Sequence, residues 1–222
     1  MKNDNWIAKI RNAEKIKKYS QTGEEGVLQF ILNQVGYGNN FLVDIGAWDG
    51  FHLSNTRFFI EQGFESILID GDNRGNTEVK QEWITKDNIC SMLEKYNCPQ
   101  RFSLLSYDTD GNDFDIIEAL CSKYSPDVII CEINGTIPEG ISKKIAYNPD
   151  HQWNNDDYYG FSFSAGLKLA ERIGYRVVYQ NDALNIYLVR KDLLENPNVN
   201  IEIPFTHNQY HPHNTTGVWV NV

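Results

Sequence analysis

Val43-Asp44-Ile45-Gly46-Ala47-Trp48-Asp49-Gly50 is the stretch from which the rest of the chain is read. Its first residues complete the short apolar run Phe41-Leu42-Val43-Asp44-Ile45, bounded by Asn39-Asn40 and by Gly46. An apolar run of that length between turn residues reads as a strand buried on both faces. Gly46 permits a tight turn and a close approach of backbone to a ligand. The segment from Ser54 to Gln62 then reads as a helix stopped by Gly63.

The same alternation continues downstream. Ser66-Ile67-Leu68-Ile69-Asp70 is a second buried strand, ended by Gly71-Asp72-Asn73, and a third strand is expected from Val79 to Ile84. A helix from Asp87 to Tyr96 closes at Pro99, and a strand follows from Phe102 to Tyr107. Asp113 to Tyr124 is a helix and Asp127 to Cys131 a fifth strand. After a long polar and aromatic loop from Asn134 to Tyr159, Ser162 to Ile173 is helical. Tyr175 to Tyr179 and Ile186 to Val189 end the pattern as an antiparallel pair. Upstream, residues 5–18 lean to helix, and a helix capped by Ser20 or Thr22 runs to Val35 with Glu24 and Glu25 in its first turn.

Buried strands alternating with helices predict a doubly wound α/β fold. Its sheet is seven-stranded and mostly parallel, Rossmann-like, with an antiparallel C-terminal strand pair. The expected division is an N-terminal helical extension over 1–18, a main domain over 19–193 and a tail over 194–222. In such sheets the ligand lies beyond the carboxyl ends of the strands, where the strand order reverses.

Bulk properties narrow the partners. A length of 222 residues suits one large domain. The formal net charge of −10 repels a polyanion, so nucleic acid is not an expected partner. The basic run Lys15-Ile16-Lys17-Lys18 reads as a solvated helix face. Cys90, Cys98, Cys121 and Cys131 include no CxxC pair, which argues against zinc and fits a reducing compartment. No secretory apolar core and no membrane-length apolar run is present, so a cytoplasmic protein with no membrane partner is expected.

The residue types around the glycine turn select among nucleotide-like ligands. Asp70 ends the second strand 20 residues after Gly50, where a carboxylate can grip both hydroxyls of an adenosine ribose. A dinucleotide site wants a second glycine two residues after the first, so that backbone can meet pyrophosphate. Here that position is Trp48, and Asp44 and Asp49 flank the turn. These acids repel a pyrophosphate but suit the ammonium and sulfonium of S-adenosylmethionine (AdoMet). Gly46, Ala47, Asn55 and Gly71 are expected beside the cofactor, with Thr85 and either Trp83 or Ile84 at its adenine end.

The reaction site is expected on the next two strand ends. Asp108 and Asp110 follow the fourth strand, and Glu132 and Asn134 follow the fifth. Carboxylates packed together raise one another's pKa unless a hydrogen-bond network, a cation or the sulfonium relieves them. Such oxygen ligands suit Mg²⁺ or Mn²⁺, which can lower the pKa of a substrate hydroxyl. Asp113 is expected to cap a helix. In the long loop, His151 is the expected general base, with His52 as its competitor. Aromatic residues together with Asn, Gln and Asp in that loop suit a sugar or other polyol acceptor. His207, His211 and His213 fall in a Pro- and Asn-rich tail and read as solvated. Gly217-Val218-Trp219-Val220 is apolar enough to dock on the domain or on a second subunit, as in a homo-oligomer.

Taken together, these motifs resemble the FkbM-like branch of class I methyltransferases. The likeness rests on Ser20-Gln21-Thr22-Gly23-Glu24-Glu25-Gly26, the glycine turn with Ser54-Asn55-Thr56, and Leu68-Ile69-Asp70. It continues through Leu105-Ser106-Tyr107-Asp108-Thr109-Asp110-Gly111-Asn112-Asp113 and Cys131-Glu132-Ile133-Asn134, spanning about residues 19 to 193. It implies AdoMet binding and O-methylation, commonly of sugar hydroxyls. By the same resemblance Gln21 lies against the methionine end of the cofactor. A wider likeness to metal-dependent O-methyltransferases implies metal ligands at Asp108, Glu132 and Asn134. The rival readings are a nicotinamide-dependent oxidoreductase on the same layout, against which Trp48 argues, and a binding module without catalysis.

Overall fold

The computed structural model describes residues 4–197, 202–208 and 217–222. Seven strands form one sheet: β1 (Phe41–Ile45), β2 (Glu65–Asp70), β3 (Val79–Gln81), β4 (Arg101–Tyr107), β5 (Ser125–Glu132), β7 (Tyr175–Asn181) and β8 (Asn185–Arg190). Their order is β3-β2-β1-β4-β5-β8-β7. The pairings from β3 through β5 are parallel, whereas β8 is antiparallel to both β5 and β7. This is a doubly wound, Rossmann-like arrangement, with one reversed strand near the edge.

Side-chain alternation builds a core on each face of the sheet. Val43, Ile45, Ile67, Ile69, Leu105, Tyr107, Ile129 and Cys131 point to one side. There they meet α3 (Ile89–Lys95), α4 (Asp113–Cys121) and α5 (Phe163–Arg172). Leu42, Leu68, Leu104, Val128 and Ile130 point to the other side. That side is covered by α1 (Glu24–Val35), by Phe59 of α2 (Arg57–Ile60) and by Trp6, Ile7 and Ile10. The last three lie in a 3₁₀ helix, Asp4–Asn12, shorter and tighter than the helix expected over 5–18.

Two short strands depart from the expected pattern. β6 (Lys143–Ile145) lies inside the segment read as one long loop, and it pairs antiparallel with β9 (Trp219–Asn221). The segment that begins at Gly217 therefore docks on its own chain. His211 and His213 lie outside the described residues. His207 is described, and its Nε2 lies 3.0 Å from the carbonyl of Thr136. Among the described residues no helix is long and apolar enough to cross a membrane, and the four cysteines are free thiols.

Candidate active site

The strand order reverses between β1 and β4, and a cleft of about 840 Å³ opens at the carboxyl ends of β1, β2 and β4. The turn after β1 forms its floor. The N–H groups of Gly46 and Ala47 both donate to the carbonyl of Ile69, at 3.0 and 3.1 Å, and Asp108 N–H donates to Ile45. Gly46 has φ +83°, and a Cβ there would lie 1.4 Å from the backbone oxygen of Asp108. The close approach that this glycine permits is therefore to the neighbouring strand's turn, whereas a ligand was the expected partner.

Asp70 joins the second strand to this turn. Its Oδ2 accepts the Trp48 N–H at 2.7 Å and its Oδ1 accepts the Asp72 N–H at 2.8 Å. Each carboxylate oxygen keeps a further lone pair for a ligand hydroxyl. Asp44 is buried beneath the turn and accepts a hydrogen bond from Thr56 Oγ1 at 2.6 Å. Burial pushes its carboxyl up to about 6, against the pull of that hydrogen bond. Trp48, at φ +47°, occupies a left-handed position that bulky residues rarely hold. Its ring lies 5.0 Å from His52, and Arg74 lies 5.4 Å from its centre.

The structure gathers most of the expected residues on the cleft wall. Asp44, Gly46, Ala47, Trp48, Asn55, Asp70, Gly71, Asp108, Asp110 and His151 all line it. Five expected cofactor or metal residues, Gln21, Asp49, Thr85, Glu132 and Asn134, are not on that wall, and Asp49, Thr85 and Asn134 have local tasks. Asp49 accepts the N–H groups of Phe51 and His52 and shapes the turn. Thr85 exchanges hydrogen bonds with Asn88 at the start of α3. Gln21 is exposed and off the wall, although its neighbour Ser20 bridges to Leu53, which is on it. Asn134 is fully buried, and both ends of its amide are engaged. Nδ2 donates to the carbonyls of Asp157 and Tyr159, and Oδ1 accepts from Thr136 N–H and Oγ1. It organises the loop after β5 and has no atom left for a metal.

At the β4 and β5 ends, Asp108, Asp110 and Glu132 each offer an oxygen within 4.8 Å of the others. Glu132 is buried, and its Oε2 has no hydrogen-bond partner. Burial, then the charges of Asp110 and Asp113, hold Asp108 well above the usual carboxylate range. Burial and the same neighbours, Asp108 foremost, do so for Glu132. Asp113 begins α4, and burial raises it to about 7 despite a bond from Thr109 Oγ1. Three carboxylates suit a hard cation by donor type. Asp110 stands in this group where Asn134 was expected.

His151 faces the same wall. Its Nε2 is buried without a partner, and the backbone of Asp110 engages the ring. Burial lowers its pKa, so the imidazole is neutral near pH 7. The loop that carries it is pinned by Trp83 Nε1–H donating to the Pro149 carbonyl at 2.7 Å. Asn112 and Asn148 add a mutual pair of hydrogen bonds. The Trp83 ring in turn lies against Gly71.

Trp153, in the loop expected to meet the acceptor, also lines the cleft, as do Ser106, Arg74 and Glu82, for which no role was expected. Ser106 was legible in principle, since it lies two residues before Asp108 on the same strand. Arg74 and Glu82 reach the wall on the segments that flank β3, whose path no periodicity reveals. Six lining residues are carboxylic acids, namely Asp44, Asp70, Asp72, Glu82, Asp108 and Asp110, against one permanent cation, Arg74. That cation is itself paired with Asp72 at 3.3 Å.

No protein-family model matches the chain, and no curated protein matches it significantly. Among solved structures, it is similar to a SAM-dependent methyltransferase from Aquifex aeolicus. Sequence identity is 12%, TM-score 0.39, and the match covers 84% of this chain and 96% of that one. It is also similar to LaPhzM, at 10% identity and TM-score 0.40, over 84% of this chain and 55% of LaPhzM. The chain thus spans little more than half the length of LaPhzM.

Proposed function

We propose that this protein is an AdoMet-dependent O-methyltransferase whose acceptor is a sugar-like hydroxyl compound without a phosphate group. The observation that carries the reading is the acidic cleft at the sheet's switch point, with Asp70 presenting a carboxylate fixed by two backbone N–H groups. The acids outnumber the one cation, Arg74, which Asp72 already pairs, and a cationic ligand would relieve the crowding that raises Asp108, whereas a pyrophosphate would add to it. The same balance favours a neutral or cationic acceptor over a phosphorylated one.

AdoMet supplies an electrophilic methyl bonded to a sulfonium. As the acceptor oxygen attacks that carbon in line, the carbon–sulfur bond breaks and its electron pair stays on sulfur, leaving S-adenosylhomocysteine. Asp70 holds the ribose hydroxyls, and the 46–48 turn faces the methionine part. Asp108 and Asp110 orient the acceptor hydroxyl. His151 takes the hydroxyl proton at Nε2, which is neutral and unengaged. Most of the rate gain comes from holding oxygen and methyl in register. A Mg²⁺ or Mn²⁺ ion fits the Asp108, Asp110 and Glu132 oxygens by donor type and would lower the pKa of the acceptor hydroxyl.

The direct test incubates the protein with methyl-labelled AdoMet and a panel of neutral sugars, amino sugars and sugar phosphates, read by mass spectrometry. Label on a neutral or amino sugar supports the proposal. Label only on sugar phosphates refutes the charge argument, and no binding of AdoMet refutes the whole reading.

A further inference from the structure

The loop that carries His151 and Trp153 leaves β6 at Ala146 and returns to the sheet region at Phe161. One backbone atom outside the loop touches both its ends. The carbonyl of Val218 accepts the Ala146 N–H at 2.8 Å and the Tyr158 O–H at 2.7 Å. The strand pair Ile145 and Trp219 continues this contact. Gly217 makes the approach feasible. Its φ is +87°, and a Cβ there would sit 2.2 Å from the Tyr158 ring.

Tyr158 transmits the contact to the cleft. Its ring meets Trp219 edge-on at 5.3 Å and meets His151 edge-on at 5.7 Å. Lys143 Nζ lies 4.2 Å from the Trp219 ring centre. The loop's first half is otherwise pinned by Asn112 and Trp83. Its second half is tied by Asn134 to the Asp157 carbonyl and by this tyrosine to Val218. Trp153 Nε1–H donates only within the loop, to the Asp156 carbonyl.

We infer that the segment Gly217–Val222 is a strap that closes the acceptor loop, and that Tyr158, clipped to the Val218 carbonyl, is a positioning residue that sets the orientation of His151. The inference rests on the proposed methyl transfer only for the use made of His151. The clip itself stands on hydrogen bonds and ring contacts.

The test compares wild-type protein with Tyr158→Phe and Gly217→Val. Tyr158→Phe keeps the ring and removes the donor. Three readouts are taken: hydrogen exchange across residues 146–161, the His151 ring-proton shifts by NMR at one fixed pH (assigned with His151→Gln), and AdoMet affinity by calorimetry. Loss of one neutral hydrogen bond predicts exchange about fivefold faster in the loop for Tyr158→Phe. The His151 ring protons should shift in the NMR spectrum, because the Tyr158 ring packed edge-on against them at 5.7 Å is no longer held by its hydroxyl. AdoMet affinity should stay within about twofold, since neither residue lines the cofactor end. Gly217→Val should show larger changes of the same sign; if it does not fold, Tyr158→Phe alone decides. Unchanged exchange and unchanged His151 ring-proton shifts in Tyr158→Phe overturn the inference. Failure of the wild-type protein to bind AdoMet would sink the methyl-transfer reading instead, and the exchange comparison would still decide the strap.

Discussion

The backbone oxygen of Asp108 occupies the space into which any side chain on Gly46 would project, at 1.4 Å from an ideal Cβ. The turns that leave β1 and β4 are therefore in direct contact, and one glycine makes that contact feasible. Gly46→Ala adds both this clash and an unfavourable left-handed φ. It should destabilise the protein by more than about 3 kcal/mol. Chemical unfolding measures this, and an unchanged midpoint would contradict the described turn.

Trp48 presents the opposite case, a bulky residue held at φ +47°. A left-handed conformation costs a non-glycine residue roughly 1–2 kcal/mol. Its ring is about one-third exposed and contributes modestly to the core. Trp48→Gly should thus leave the melting temperature unchanged or higher while weakening AdoMet binding, because strain retained in a cleft wall marks a ligand contact. A variant that loses stability and keeps full affinity would show that the ring serves the fold.

The buried acids make stability depend on pH in a defined direction. Asp44, at about 6, and Asp113, at about 7, hold protons in the folded state that the unfolded chain releases near 3.8. Between those values the folded state binds more protons, so stability falls as pH rises. Carboxyls with lowered pKa, such as Glu24, have completed their contribution by pH 5. The ligand-free protein should therefore melt at a lower temperature at pH 8 than at pH 5.5, and Asp113→Asn should reduce the difference. A melting temperature that climbs across this range would contradict the burial of these groups as described.

The Asp108, Asp110 and Glu132 oxygens give the metal question a clear readout. If they hold a divalent ion, millimolar Mg²⁺ or Mn²⁺ raises the melting temperature of wild-type protein at pH 8, by linkage to the folded state. Glu132→Gln should abolish that rise. No rise in the wild-type protein, with activity intact after dialysis against EDTA, would leave these groups as hydroxyl-orienting acids without a metal.

Much of this was legible in the sequence because it is local. The apolar runs at Phe41–Ile45 and Ser66–Asp70 carry their own burial pattern, and a glycine turn followed by an acid at the second strand's end is a spacing signal. β6 and β9 were not legible, because each is three residues long and exists only by pairing with the other across the chain. The role of Asn134 was hidden for a similar reason. Its partners, Asp157 and Tyr159, lie more than 20 residues away on a loop, so only the folded path shows that its amide is engaged. Their position near strand ends gives Thr85 and Asp49 the look of ligand contacts. Each instead closes a hydrogen bond within three residues of itself, a competition that polar residues at turns commonly win.

The most direct measurement is titration calorimetry of the full chain with AdoMet and, separately, with NAD⁺, on wild-type protein and on Asp70→Ala. The acidic turn and the fixed carboxylate of Asp70 predict binding of AdoMet, no measurable binding of NAD⁺, and at least about a tenfold loss of AdoMet affinity in the variant. Binding of NAD⁺ in preference to AdoMet, or AdoMet affinity indifferent to Asp70, would contradict the account.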